Sequence, residues 1–260
     1  MKYIMSKMPV VFIGHGSPMN AIEKNDYTKS WREIGQRIPK PKAIISFSAH
    51  WFTQGTKIMN EEKPRTIYDM YGFPDELYEI IYHSPGSPSL AQVTKNLISK
   101  ETEYDNSWGI DHGTWSVLVH MYPKMDIPLF QISIDANASP EEHYEIGKEL
   151  RSLRNEGVLL FGSGNIVHNL RLVDWNMGNE GFDWAYNFDD FIKENILERN
   201  HENILHFENK GNLAKLAVPT PDHFYPLLYI LGASSEEDKV TIFNKSGELG
   251  SLTMTGYFFE

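Results

Sequence analysis

The chain has ten histidines and no cysteine, and that combination limits its chemistry. Disulfides, iron–sulfur clusters and thiolate zinc sites are excluded, so any metal must be held by nitrogen and oxygen ligands. Four histidines stand in similar settings, each behind an apolar run or a turn and beside small residues. His15 follows Val10-Val11-Phe12-Ile13-Gly14, and His50 follows Ala43-Ile44-Ile45-Ser46-Phe47-Ser48-Ala49. His168 comes after Val158-Leu159-Leu160-Phe161 and the Gly162-Ser163-Gly164-Asn165 stretch, and His223 ends Thr220-Pro221-Asp222-His223. Neutral imidazoles converging on one point are good ligands for a divalent transition metal. His112, between Asp111 and Gly113, is a fifth candidate, either as an acid–base group or as a residue supporting the ligands. The remaining histidines promise less. His120 packs inside a helix, His143, His201 and His206 are expected in water, and His83 precedes a turn.

The elements that must position these residues follow from hydrophobic period and from caps. Buried strands are expected at 9–13, 43–48, 128–134 and 158–161, with a short one at 56–60. Helices are expected at 20–37, at 89–99 with Leu90, Val93, Leu97 and Ile98 on one face, at 114–121 and at 184–199. Ser139-Pro140-Glu141-Glu142 is a strong helix start, with a capping Ser, Pro at the first position and acids in the first turn. That helix should run to about Asn155, and Gly157 closes it. Thr220-Pro221 gives a similar signal, so a helix is expected from there towards Leu231. His223 would lie in its first turn, where the helix dipole disfavours imidazolium. Residues 75–82 read as a short strand or a helical turn, 68–74 as an aromatic loop, 162–165 as a tight loop, and 239–243 with 251–259 as a terminal hairpin.

Alternating strands and helices give the class: α/β, one domain over 1–260, a central, largely parallel or mixed sheet flanked by helices. Ligands in such sheets sit beyond the carboxyl ends of the strands, so the metal site is expected there. Two familiar motifs are absent. The dinucleotide fingerprint needs a third glycine where Val167 stands, and no Gly-x-Ser-x-Gly nucleophile elbow surrounds Ser17 or Ser163.

Composition narrows the partners. The 260 residues are 41% hydrophobic and 13% aromatic, which suits a packed core, and the formal net charge of -11 argues against nucleic acid and anionic membrane. No stretch approaches the ~18 apolar residues of a membrane span, and the amino-terminal apolar run is short for a signal peptide. The expectation is a cytoplasmic protein, as a monomer or a homodimer.

Taken together and in order, Gly14-His15-Gly16-Ser17-Pro18, Ser48-Ala49-His50-Trp51, Tyr68-Asp69-Met70-Tyr71-Gly72-Phe73-Pro74, Asp111-His112-Gly113-Thr114-Trp115, Gly162-Ser163-Gly164-Asn165 with His168-Asn169-Leu170, and Thr220-Pro221-Asp222-His223 resemble a known family. It is the class III extradiol ring-cleaving dioxygenases, in particular the DOPA 4,5-dioxygenase subgroup, over about residues 9–258. The resemblance implies a non-haem Fe(II) enzyme that opens a catechol beside its diol with O2. It implies His15, His50 and His223 as metal ligands, His168 as base or fourth ligand, and His112 in contact with substrate or oxygen. His223 stands where the protocatechuate branch has a ligating glutamate, and Met70 where the subgroup has an aromatic residue. An all-histidine site lacks the usual carboxylate of oxygen-activating iron and should take Zn(II) readily, so zinc is expected in the protein as purified. Trp51, Tyr71, Phe73 and Trp115 are candidate pocket walls, with ordinary core packing as the other reading. The same residues admit a zinc hydrolase with His112 or Asp111 as base, and a non-catalytic metal-binding relative.

Overall fold

The computed structural model describes residues 7–260. The buried runs become strands β1 (Val10–Gly14), β2 (Ala43–Thr53), β3 (Thr56–Ile58), β4 (Thr102–Tyr104), β5 (Leu129–Asp135), β6 (Val158–Gly164), β7 (Val240–Phe243), β8 (Gly247–Glu248), β9 (Leu252–Thr253) and β10 (Gly256–Phe259). Eight of them form one sheet in the order β4-β3-β5-β2-β6-β1-β10-β7. The inner strands β5, β2, β6 and β1 are parallel, while β3 on β5 and β10 on β1 are antiparallel, so the sheet is mixed. Every residue of β1, β5 and β6 is buried, as expected of parallel strands covered on both faces.

The helices are α1 (Asp26–Arg37), α2 (Asp75–Tyr78), α3 (Pro88–Leu97), α4 (His112–Met121), α5 (Pro140–Leu150), α6 (Asp183–Leu197), α7 (His201–Leu205), α8 (Asn212–Ala217) and α9 (Tyr225–Ala233). Helix α5 begins as its sequence dictates: Ser139 and Glu142 form a reciprocal capping box with Pro140 at the first position. A 3-10 stretch carries it to Glu156, and Gly157 ends it with φ 86. No helix among the described residues is long and apolar enough to cross a membrane.

Several local expectations shift. The helix expected at 20–37 is a 3-10 turn at Pro18–Ala21 followed by α1, because Asn25 caps a new start by accepting from Thr28 N. Strand β2 does not stop at Ser48. It continues to Thr53 through an irregularity in its pairing with β5, so His50 lies inside the strand. Residues 162–164 are not a loop but the end of β6. Gly164 is needed there because a Cβ would come within 2.0 Å of the His223 carbonyl oxygen. Helix α3 buries Ala91 and Thr94, and of the expected face Leu90, Leu97 and Ile98 pack on the core while Val93 is 48% exposed. The tail pairs β7 with β10 antiparallel at the sheet edge, but the connection holds a second hairpin of β8 and β9.

Candidate metal centre

Strands β1, β6 and β2 are neighbours, paired Gly14 to Gly164 and Ser48 to Ser163, so the ends of β1 and β6 lie level with the point where β2 leaves that pairing, two residues before His50. That alignment brings the histidines together. The ring centroids of His15 and His50 are 5.0 Å apart, those of His15 and His223 5.4 Å, and those of His50 and His112 3.9 Å. His168 stacks on His223 at 3.5 Å with the rings 6° from parallel. Possible ligand atoms fall into two adjoining groups: His15, His50 and His112, and His168, Asp222 and His223. His112, read as an acid–base or supporting residue, therefore shares a group with two expected ligands, whereas His168 touches the cluster through His223.

Local geometry sets the tautomers. Ser163 Oγ donates to the Gly113 carbonyl, so it can only accept from His15 Nδ1, 3.0 Å away. That fixes the proton of His15 on Nδ1 and leaves a lone pair on Nε2. His223 Nδ1 donates to the Asp222 carboxylate, which frees its Nε2 in the same way. Asp69 reaches in from the aromatic loop and accepts from the His112 backbone N–H at 2.9 Å. Its Oδ2 stands 3.1 Å from His50 Nδ1 and 3.0 Å from His112 Nδ1. Asp69 is within reach of both rings, and its carboxylate favours a proton on each facing Nδ1.

Burial, then the neighbouring imidazoles, hold His15 and His223 well below the usual histidine range. Burial likewise lowers His112, and His168 is pushed down to about 4. Burial would lower His50 as well, but the carboxylates of Asp69, Asp111 and Asp222 outweigh it and raise its pKa. Burial alone would raise Asp69; His112 and His50 instead hold it far below the carboxylate range. The site is thus a set of mostly neutral imidazoles backed by carboxylates.

The donor set fits a divalent metal. His15 Nε2 and His50 Nε2 face each other at 3.1 Å. With both protons placed on Nδ1, two lone pairs meet, a contact that a shared cation relieves. Two nitrogens bound to one ion at about 2.1 Å stand roughly 3 to 3.4 Å apart. The carboxylate missing from an all-histidine shell is present one imidazole away, as Asp222 behind His223 and Asp69 behind His50 and His112. Such outer partners orient histidine ligands and raise their basicity.

Other expectations are corrected. His223 is not in a first helical turn: Pro221–Phe224 is a turn, α9 starts at Tyr225, and burial rather than a dipole keeps the ring neutral. Asp111 is unavailable as a base, being fully buried and accepting from Ser48 Oγ, Gln131 Nε2, Trp108 Nε1 and the Thr114 backbone N–H. Gly16 makes the turn after β1. It has φ +59, and a Cβ there would meet Met254 Sδ at 2.5 Å. Trp51 and Trp115 are core residues, Phe73 packs partly against the core, and Tyr71 is 92% exposed. His143 is fully buried against the Tyr229 hydroxyl, and His201 is half-buried beside Tyr144, so neither is solvated as expected. Asp69, Ser163 and Asp222 received no role from sequence. Asp69 and Asp222 had a signal in their own motifs; Ser163 becomes meaningful only through the pairing of β6 with β1.

The model of the catalytic LigB subunit of aromatic ring-opening dioxygenase matches residues 2–260. The chain belongs to this family. Among LigB-family relatives, a 4,5-DOPA dioxygenase extradiol of Escherichia coli (strain K12) is 44% identical over 255 residues, covering 96% of this chain and 93% of its own. The 4,5-DOPA dioxygenase extradiol of Beta vulgaris is 37% identical over 257 residues, 95% of each chain. The crystal structure of an uncharacterised protein from Escherichia coli K12 superposes with a TM-score of 0.84 at 40% identity, covering 97% of this chain and all of that one. The class III dioxygenase resemblance seen in the ordered motifs is this family relationship.

Proposed function

We propose that this LigB-family protein is a cytoplasmic extradiol dioxygenase that opens a catechol such as DOPA beside its diol with O2, yielding a semialdehyde. The observation that carries the site assignment is the meeting of His15 Nε2 and His50 Nε2 at 3.1 Å, with the His15 proton held on Nδ1 by Ser163 Oγ. His15, His50 and His223 would hold the metal, with His168 beside them as fourth ligand or base. We take Fe(II) as the working ion and Zn(II) as the ion found in the purified protein. When bound, iron supplies acidification of the catechol hydroxyls and a path for ring electrons to O2; zinc, with no redox chemistry, supplies only the first.

The remaining work falls to the chain. His168 is neutral at pH 7, because burial pushes it down to about 4, so it offers a lone pair to a phenolic proton that the metal would have acidified. Its stack on His223 fixes the ring plane while it does so. His112 holds its own proton at Nδ1 beside Asp69 and presents Nε2 as a proton acceptor. Once protonated at Nε2, its imidazolium is stabilised by the Asp69 carboxylate and can return the proton as the ring opens.

The test is to strip the metal, load Fe(II) without air, and admit oxygen with DOPA or a simpler catechol. Oxygen uptake with a yellow ring-opened product is expected, and none with Zn(II). No uptake across a panel of catechols, or uptake without a ring-opened product, would overturn the reading. His168→Ala should keep most of its metal if the residue is a base; loss of metal would make it a ligand.

A further inference from the structure

Helix α4 carries an imidazole at each end. His112 is its first residue and shares a ligand group with His15 and His50, while His120 lies eight residues on, about 12 Å along the axis. Sequence alone assigns His120 to packing inside a helix. The structure gives both of its nitrogens a partner. Nε2 stands 2.7 Å from the Asn20 carbonyl oxygen, and Nδ1 stands 3.2 Å from Arg32 Nη1 on α1.

These partners allow the ring one tautomer. A carbonyl can only accept and a guanidinium can only donate. The proton of His120 is therefore on Nε2 and its lone pair on Nδ1, and a second proton would have to displace Arg32. Burial, helped by the Arg32 charge, lowers the pKa of the ring against the pull of the Asn20 and Ala21 carbonyls, so the ring is neutral at pH 7. Helix α1 can approach because Gly35 faces Met121: a Cβ there would come within 2.8 Å of the Met121 carbonyl oxygen. Trp31, fully buried on α1, lies 6.0 Å from the His120 ring.

Asn20 passes the contact on to the metal centre. It belongs to the 3-10 turn Pro18–Ala21, which follows His15 closely, and it is 2% exposed. Its Oδ1 accepts from Asn25 Nδ2 at 2.8 Å, which turns its own Nδ2 to the His15 carbonyl, 3.1 Å away. That carbonyl belongs to the peptide joining His15 to Gly16, whose φ of +59 reflects the freedom of a residue without a side chain. The His15 N–H is held by the Gly164 carbonyl at 3.1 Å, and its ring by Ser163 Oγ at 3.0 Å. Asn20 fixes the remaining side of the residue.

We propose that His120 is a positioning residue of the metal centre: by holding the Asn20 carbonyl it fixes the turn behind His15, and with it the direction of the His15 Nε2 lone pair. The inference rests on the reading of the histidine cluster as a metal site.

Two substitutions separate the two nitrogens. His120→Gln can place an amide N–H where Nε2–H was, keeping the bond to Asn20 and losing the one to Arg32. His120→Asn places an amide oxygen near the position of Nδ1, keeping Arg32 and falling short of Asn20. After metal removal, the Zn(II) affinity of each full-length protein is measured by competition with a chelator. His120→Asn and Asn20→Ala should each bind Zn(II) roughly tenfold more weakly than wild type, and His120→Gln within about twofold of it. A histidine that served packing alone would lose equally in both replacements. Affinity in His120→Asn equal to wild type, or an equal loss in His120→Gln, would overturn the proposal. Should His120→Asn not fold, the comparison of Asn20→Ala with His120→Gln decides in the same way. Wild-type protein that binds no Zn(II) would overturn the metal-site reading itself, and this inference with it.

Discussion

The two ends of the parallel sheet bury polar groups in opposite ways. At the carboxyl end, imidazoles are crowded together, most are held neutral by burial, and their free nitrogens face one another. At the amino end, Arg154 and Asp238 are buried as a fully paired couple. Arg154 donates to both Asp238 oxygens and to the carbonyls of Met8 and Ala233, while Asp238 also accepts from Lys7 and the Ser235 backbone. The Arg154–Asp238 pair is satisfied by the chain alone, and its work is to tie β1, α9 and the last loop together. The histidine cluster is not satisfied in this way, and its facing nitrogens form a group that an ion would complete. A buried polar cluster that the protein does not finish by itself is the mark of a site.

Substitutions can sharpen or break that contrast. His15→Ala should abolish stoichiometric metal and lower ring-opening activity by at least ~10³-fold, while the melting of the metal-free protein changes little; metal analysis and oxygen uptake check this. A large loss of metal-free stability would instead make the histidine cluster structural. Arg154→Ala leaves the buried Asp238 carboxylate with only Lys7 and the Ser235 N–H and should cost about 3 kcal/mol in urea unfolding, with the metal affinity of the surviving folded protein unchanged. Asp69→Asn keeps the shape and removes the charge beside His50 and His112. A 10–100-fold drop in metal affinity is expected, measured by competition with a chelator. The smallest effect is on acid stability. Asp238 is lowered from its ordinary 3.8 to about 2: burial opposes this, and Arg154 and Lys7 outweigh it. A depressed carboxyl stabilises the fold above its unfolded pKa, and that contribution is lost as pH falls from about 4 through 2. It amounts to about 2 kcal/mol. Unfolding free energies of wild type and Asp238→Asn, measured across that range, should converge at the acid end.

Much of the carboxyl end could be read from residue order. His15, His50, His112, His168 and His223 each stand beside small residues or a turn, and strands covered on both faces announce themselves as unbroken apolar runs. The amino end was silent, because Arg154 and Asp238 come from distant segments with no local pattern. His201 shows the limit clearly: its polar neighbours in sequence suggest water, yet folding half-buries it beside Tyr144. Ser163 shows it again, since its hydroxyl matters only because β6 pairs with β1.

By itself, then, the sequence determined the α/β class, the cap and end of α5, the family, and which histidines were candidates. These depend on local period, cap chemistry and ordered motifs, all of which survive in one dimension. Only the tertiary structure decided that Asp69 and Asp222 back the imidazoles, that His112 shares a ligand group with His15 and His50, and that Asp111 is a spent cap. Protonation and lone-pair direction follow from burial and from partners up to 148 residues apart, as for His15 and Ser163. Those quantities exist only once the strands have been set side by side.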